Sequence, residues 1–202
     1  MSLQRHLVVF TRYPSLGTGK RRLAAGIGAA QALRFQRVSL AHTLQRLGTD
    51  RRWRTWLAIT PAGSGPWQPR LEVVSQGKGD LGERLTRVTK ALPRGPVLII
   101  GSDVPGITRD VISEAFHLLG SHDAVLGPSN DGGYWAIGLR RCPRTVNPFR
   151  AVRWSTRYAL DDTLRNLRGY SVAKLPSLDD IDDSASIMRF PQWDLLHGHH
   201  CP

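Results

Sequence analysis

Pro96-Val97-Leu98-Ile99-Ile100-Gly101-Ser102-Asp103-Val104-Pro105-Gly106 is the stretch on which the fold turns. Val97 to Ile100 are apolar at every position, so both faces of the strand they predict must be covered, as in the centre of a parallel sheet. Gly101 to Gly106 then breaks the strand with glycine and proline, and a carboxylate, Asp103, leaves the end of the apolar run. A charge there is costly unless it meets a cation or several donors. Two partners satisfy that need. One is the set of backbone N–H groups in its own turn. The other is a metal ion bridging substrate phosphates, since Mg²⁺ is usually held by one or two carboxylates plus phosphate oxygens. The residues alone leave both readings open.

Working outward, Leu7-Val8-Val9-Phe10-Thr11 reads as a first buried strand that runs into a loop with Pro14 and Gly17. Leu33, Leu40, Leu44 and Leu47 recur at helical spacing between Ala29 and Leu47, and Gly48 stops that helix. Thr55 to Thr60 and Leu71 to Ser75 read as strands, and Leu81, Leu85, Val88 and Leu92 mark a second helix. Thr108 is positioned to cap a helix carrying Val111, Ala115 and Leu118. Ala124 to Gly127, Tyr134 to Gly138 and Ser171 to Leu175 are further strands, with a helix from about Thr156 to Leu167. Alternating strands and helices predict a doubly wound, mostly parallel sheet. Such sheets bind ligands beyond the carboxyl ends of their strands, so the loops after Phe10, Ile100 and Gly127 are where chemistry is expected. With no repeat or low-complexity linker, one domain is expected over residues 1–202, with a core of about 7–187 and a tail at 188–202.

The bulk numbers narrow the classes. A chain of 202 residues with 41% hydrophobic and 22% charged content is that of an ordinary globular protein. No apolar run approaches the roughly 18–20 residues of a membrane helix. The first residues lack a secretory signal, so a cytoplasmic location is expected. Cys142 and Cys201 lack metal-type spacing and read as free thiols. The His197-Gly198-His199-His200-Cys201 tail reads as a solvated terminus. The net charge of +12 admits nucleic acid, an anionic membrane or a phosphorylated small molecule. The basic residues are scattered, however, and no RNA-binding or zinc-finger pattern accompanies them.

In the first loop, Gly17 and Gly19 allow a ligand close to the backbone, and Lys20 and Arg22 can neutralise phosphate oxygens. The loop fails the P-loop pattern and the G-x-G-x-x-G fingerprint, so a solvated basic turn is an equal reading. In the third loop, Asp131-Gly132-Gly133-Tyr134-Trp135 fits a plain hairpin turn and equally an aspartate held beside a sugar or nucleotide. Asp179-Asp180-Ile181-Asp182-Asp183 gathers acids in a basic chain and offers a second contribution to a cation site.

Six segments in order carry a resemblance to a known family: Phe10 to Pro14 with Gly17 and Lys20 to Leu23; Gln76 to Arg84; Gly101 to Gly106; Asp131 to Leu139; Trp154-Ser155-Thr156; and Asp180-Ile181-Asp182. Together they resemble the bacterial family of predicted glycosyltransferases formerly classed as a domain of unknown function, DUF2064. That family is similar to the GT-A nucleotide-diphospho-sugar transferases, and more distantly to the molybdopterin-guanylyl and phospholactate-guanylyl transferases. The resemblance implies a Rossmann-like GT-A α/β/α sandwich and a divalent cation, Mg²⁺ or Mn²⁺. It implies a basic phosphate-contacting pair at Lys20 and Arg22, with Gly17 and Gly19 in the same loop. Gly82, Glu83, Arg84, Gly132, Gly133 and Tyr134 stand in its other nucleotide-side motifs. Asp103 matches its metal-binding acid, and Asp182 or Asp180 the acid that completes the site. Departures are Arg21 for a usual Thr, Val104 for a frequent Cys, and Asp183-Ser184-Ala185 for Thr-Pro-Glu. The Asp-x-Asp of classical GT-A enzymes is also missing.

The expected activity is metal-dependent sugar transfer from a nucleotide sugar to a small-molecule acceptor, with Asp131 as general base and Asp103 at the reacting phosphates. The rival is nucleotidyl transfer from a nucleoside triphosphate with release of pyrophosphate, which the basic loop favours. A nucleic-acid-binding protein is the non-enzymatic alternative, resting on charge alone. Oligomeric state is left open, with Trp53, Trp56, Trp67 and Trp193 available to an interface or to the core.

Overall fold

In the computed structural model, residues 3–63, 65 and 71–188 are described. Seven strands form one sheet: β1 (His6–Arg12), β2 (Arg54–Thr60), β3 (Glu72–Ser75), β4 (Val97–Ile100), β5 (Ala124–Pro128), β6 (Tyr134–Leu139) and β7 (Val172–Lys174). Their order is β3-β2-β1-β4-β6-β5-β7. Every pairing is parallel except those of β6, which runs antiparallel to both β4 and β5.

The alternation of side chains along each strand explains the layers. In β4, Leu98 and Ile100 point to one face, where they join Leu7, Val9, Leu57 and Ile59. That face is covered by α2 (Ala29–Leu47) and α4 (Arg109–Leu118) through Leu40, Leu47, Ile112 and Phe116. Val97 and Ile99 point the other way, against Leu85, Val88 and Leu92 on and just after α3 (Leu81–Ala91) and Leu160 and Leu164 of α5 (Ala159–Asn166). All four residues of β4 are at most 4% exposed, so both faces are covered as the sequence requires. The result is the expected α/β/α sandwich with a mostly parallel sheet.

Three elements differ from expectation. A short helix, α1 (Arg21–Ile27), precedes α2 and is divided from it by Gly28 at φ 87°. Gly26 and Gly28 interrupt the apolar period, which hid it. The helix expected from Thr156 starts at Ala159, because Ser155 adopts φ 58° and the Thr156 hydroxyl accepts from the Tyr158 N–H. A last short helix, α6 (Ser184–Met188), follows the acidic segment. Trp53 is a core residue, 4% exposed and donating to the Leu47 carbonyl at 3.0 Å, while Trp56 is partly buried and donates to His6. Cys142 is a free thiol. Cys201, the His-rich tail, Trp67 and Trp193 lie outside the described residues. No helix among the described residues is long and apolar enough to cross a membrane.

Candidate active site

The loop at 101–106 is held from outside as well as by its own turn. Ser39 and Thr43, one helical turn apart on α2, both donate to the Ser102 carbonyl, at 2.6 and 3.3 Å, and Arg46 reaches the Pro105 carbonyl at 3.3 Å. The Ser102 hydroxyl meets that of Thr11 at 2.9 Å, tying the loop to the end of β1. Sequence reasoning missed these anchors. Their signal was a polar row at i, i+4 and i+7 beside the apolar face of a helix.

The chain then returns to this loop from beyond β7. The Leu178 N–H donates to the Pro128 carbonyl at 3.1 Å, and the Ile181 N–H to the Asp103 carbonyl at 3.1 Å. Ile181 is fully buried among Leu23, Ala32 and Phe35 of α1 and α2. That anchor leaves its neighbours Asp180 and Asp182 facing Asp103. One oxygen from each of the three carboxylates lies within 4.8 Å of the others.

Between them sits the ammonium of Lys20. It contacts Asp103 directly, lies 2.5 Å from Asp182, and stands 3.7 Å from Asp180. Burial disfavours the charged ammonium, yet Asp103 and Asp182 together hold its pKa well above the usual lysine value. Burial and the neighbouring carboxylates raise Asp180 to about 6, against the pull of Lys20. Asp182 goes the other way: burial opposes its ionisation, but Lys20 keeps its carboxyl below the ordinary range. The two acids offered as alternatives at the sequence level therefore both belong to the cluster.

Two cavities meet here. The larger, of about 850 Å³, is lined by Gly17, Thr18, Gly19, Lys20, Arg21 and Arg22 of the first loop, with Arg12, Arg157 and Asp182. Gly17 and Gly19 take φ 75° and 70°, and Lys20 itself is left-handed at φ 40°. The smaller, of about 300 Å³, is mostly apolar and is lined by Phe10, Leu85, Ile99, Tyr134 and Trp154, with Asp103 and Asp180 at its edge. Asp131, Ser155 and Thr156 border both.

Asp131 sits in a hairpin turn, as one of the two sequence readings had it, and that turn opens onto both cavities. Its carboxylate accepts from the Ser129 hydroxyl at 2.6 Å and the Gly133 N–H at 2.9 Å. Gly132, at φ 82°, packs so close to the Arg157 carbonyl that any Cβ would collide with it. Tyr134 lines the smaller cavity, and burial holds its hydroxyl protonated well above the ordinary tyrosine value.

Gly82, Glu83 and Arg84 line neither cavity, and each has structural work. Asp80 and Glu83 form a reciprocal capping box at the start of α3, with bonds of 2.8 and 2.9 Å. A Cβ on Gly82 would lie 2.5 Å from the Phe149 carbonyl and 3.0 Å from the Trp154 indole nitrogen. Arg84 bonds to Gln76 and lies over the Phe10 ring at 5.5 Å. Gln76 is fully buried and donates to the carbonyls of Thr11 and Ala58, fastening the ends of β1 and β2.

A family model described as "Uncharacterized protein conserved in bacteria (DUF2064)" matches residues 43–156. That span contains Asp103, Asp131 and Trp154 but neither Lys20 nor Asp182. No curated protein matches. Among solved structures, the chain is similar to a protein of Desulfovibrio desulfuricans G20 provisionally named a nucleotide-diphospho-sugar transferase. Identity is 26% and the TM-score 0.82, over 91% of this chain and 84% of that one. Rv0371c of Mycobacterium tuberculosis H37Rv, solved in complex with manganese, is 15% identical with a TM-score of 0.54, over 94% and 98% of the two chains. The 4-diphosphocytidyl-2C-methyl-D-erythritol synthase of Anaerococcus prevotii DSM 20548 is 10% identical with a TM-score of 0.59, over 94% and 97%. These last two share the fold.

Proposed function

The chain belongs to the DUF2064 family, and we propose that it is a metal-dependent transferase that moves a sugar from a nucleotide donor to a small-molecule acceptor. The observation that carries this reading is the cluster of Asp103, Asp180 and Asp182 around a cation, beside a cavity lined with lysine and arginine. The ammonium of Lys20 serves as a stand-in ion: it tests the cluster and finds it suited to positive charge. Carboxylate oxygens are the donors that hard divalent cations take, so the residues present fit Mg²⁺ or Mn²⁺. Asp103, Asp182 and Asp180 would hold that ion, which supplies neutralisation of charge developing on a departing diphosphate.

The remaining work falls to side chains. Lys20, Arg22, Arg21 and Arg12 bind the phosphates within the basic cavity, and the Gly17–Gly19 loop lets them approach the backbone. Phe10, Tyr134 and Trp154 give the smaller cavity apolar walls that suit the faces of a sugar ring and exclude water. Asp131, on the border of the two cavities, accepts the proton of the acceptor hydroxyl at its carboxylate. The Desulfovibrio relative, with its nucleotide-sugar name, supports this choice of donor.

One observation favours a second reading, nucleotidyl transfer. Lys20, Arg12, Arg21, Arg22 and Arg157 line a single cavity, and that many cations suit a triphosphate better than a diphosphate. The leaving group separates the two. Incubation with a panel of nucleotide sugars and nucleoside triphosphates plus Mn²⁺ is expected to release nucleoside diphosphate. Release of pyrophosphate would transfer the assignment to the second reading, and release of neither across the panel would overturn both.

A further inference from the structure

We propose that Lys20 is a built-in counter-cation that occupies the seat of the divalent metal, so that metal entry requires its ammonium to leave. The inference rests on the reading of Asp103, Asp180 and Asp182 as metal ligands and adds a control on when they act.

Geometry carries it. The Lys20 side chain is 11% exposed, against 30%, 33% and 45% for Asp103, Asp180 and Asp182, so the ammonium lies inside the cluster rather than over it. It touches Asp103 and Asp182 at once. A hard cation needs the same oxygens at roughly 2.0–2.6 Å. Ammonium and metal therefore cannot share the centre. One lysine also undercompensates three carboxylates. A doubly charged ion answers the deficit better than a single ammonium.

The displaced ammonium has somewhere to go. Lys20 also lines the wall of the basic cavity with Arg12, Arg21 and Arg22, and its flexible four-carbon stem lets the charge move while the backbone stays. The backbone is itself committed: φ 40° between Gly19 and the start of α1 is a conformation a lysine rarely adopts. An oxyanion in the cavity would draw the ammonium out of the carboxylates and open the seat. Metal and phosphate binding are thereby coupled through one side chain.

The test is Mn²⁺ binding to the full chain, followed by electron paramagnetic resonance, for wild type, Lys20→Met, Lys20→Arg and each of these with Asp103→Asn. Circular dichroism confirms that each variant is folded. Lys20→Met is expected to bind Mn²⁺ at least tenfold more tightly than wild type, and Lys20→Arg, which keeps the charge, no more tightly than wild type. Sulfate, added at constant ionic strength as a phosphate stand-in, should tighten Mn²⁺ binding to wild type and not to Lys20→Met. If Lys20→Met binds no tighter than wild type while Asp103→Asn abolishes binding in both, the metal site stands and the counter-cation proposal falls. If no form binds Mn²⁺ with or without sulfate, the metal reading falls and the proposal with it. Should Lys20→Met fail to fold, failure of sulfate to tighten Mn²⁺ binding to wild type overturns the proposal.

Discussion

Two carboxylate centres in this molecule are built on opposite charge balances. Asp162, 3% exposed at the start of α5, is met by Arg153 through two bonds of 2.8 Å and by Arg165 at 2.9 Å, and it also accepts from the Arg153 N–H. Two guanidiniums thus serve one acid, whose carboxyl lies far below the ordinary range through the hydrogen bonds from Arg153. At Asp103, Asp180 and Asp182 the ratio is reversed, with three acids around one ammonium. The first centre has every lone pair answered and joins the 153–165 segment to itself. The second leaves its carboxylates in excess of the ammonium they surround. The proposed metal reading rests on that unanswered balance and not on the ion pairs themselves.

The largest effect that would sharpen this contrast is on turnover. Asp103→Asn is expected to lower kcat by at least about 10²-fold, as for loss of a group stabilising transition-state charge. The thermal midpoint should be unchanged or raised, because one of three repelling carboxylates is gone. A midpoint that falls sharply would make the cluster structural, like Asp162. Next, Ile181→Ala should cost about 2–5 kcal/mol in urea unfolding. It should also weaken Mn²⁺ binding, since that buried side chain holds Asp180 and Asp182 in position; unchanged metal affinity would break the link.

Asp162→Asn is expected to lower the urea midpoint at pH 7 and leave metal binding unaffected. The folded-state pKa of Asp162 lies below its unfolded value. Its contribution is therefore complete above about pH 4 and is lost as pH falls through the folded value. The difference between variant and wild type should shrink accordingly in unfolding curves taken down to pH 3. A difference independent of pH would locate the effect elsewhere. The smallest effect belongs to Tyr134→Phe. Its hydroxyl makes one long bond to Thr163, 3.4 Å, and stays protonated, so kcat should change less than about twofold if only the ring is used. A large loss would give that hydroxyl a catalytic role.

The sheet was legible in the sequence because its central strands are apolar runs bounded by glycine and proline, and β4 above all could be nothing else. The hairpin of β5 and β6 was readable from Asp131-Gly132-Gly133 as one of two readings, yet the insertion of β6 between β4 and β5 follows from long-range pairing, which local patterns do not carry. The candidate acids were legible through their exceptional placement: one at the end of an apolar strand, others clustered in a basic chain. Their partner was not. Lys20 reads as a phosphate contact from its glycine loop and from the family resemblance, and only the return of the chain past Ile181 brings Asp180 and Asp182 to it. Glu83 had a second signal in the sequence. Asp80 three residues before it is a capping-box pattern, and the structure forms that box at the start of α3.

The path from Lys20 to Asp182 spans 162 residues, and that separation bears on how the protein is made. Domains tend to fold from the N-terminus as they are synthesised, so β1, the basic loop and Asp103 emerge before Asp180 and Asp182, the acids that join them. A nascent chain can close most of its sheet with Lys20 facing only Asp103, and its cation seat is incomplete until β7 has docked and Ile181 has found its place between α1 and α2. On the metal reading proposed above, the cluster therefore forms only after β7 has been made, and it reports that the two halves of the sandwich have met.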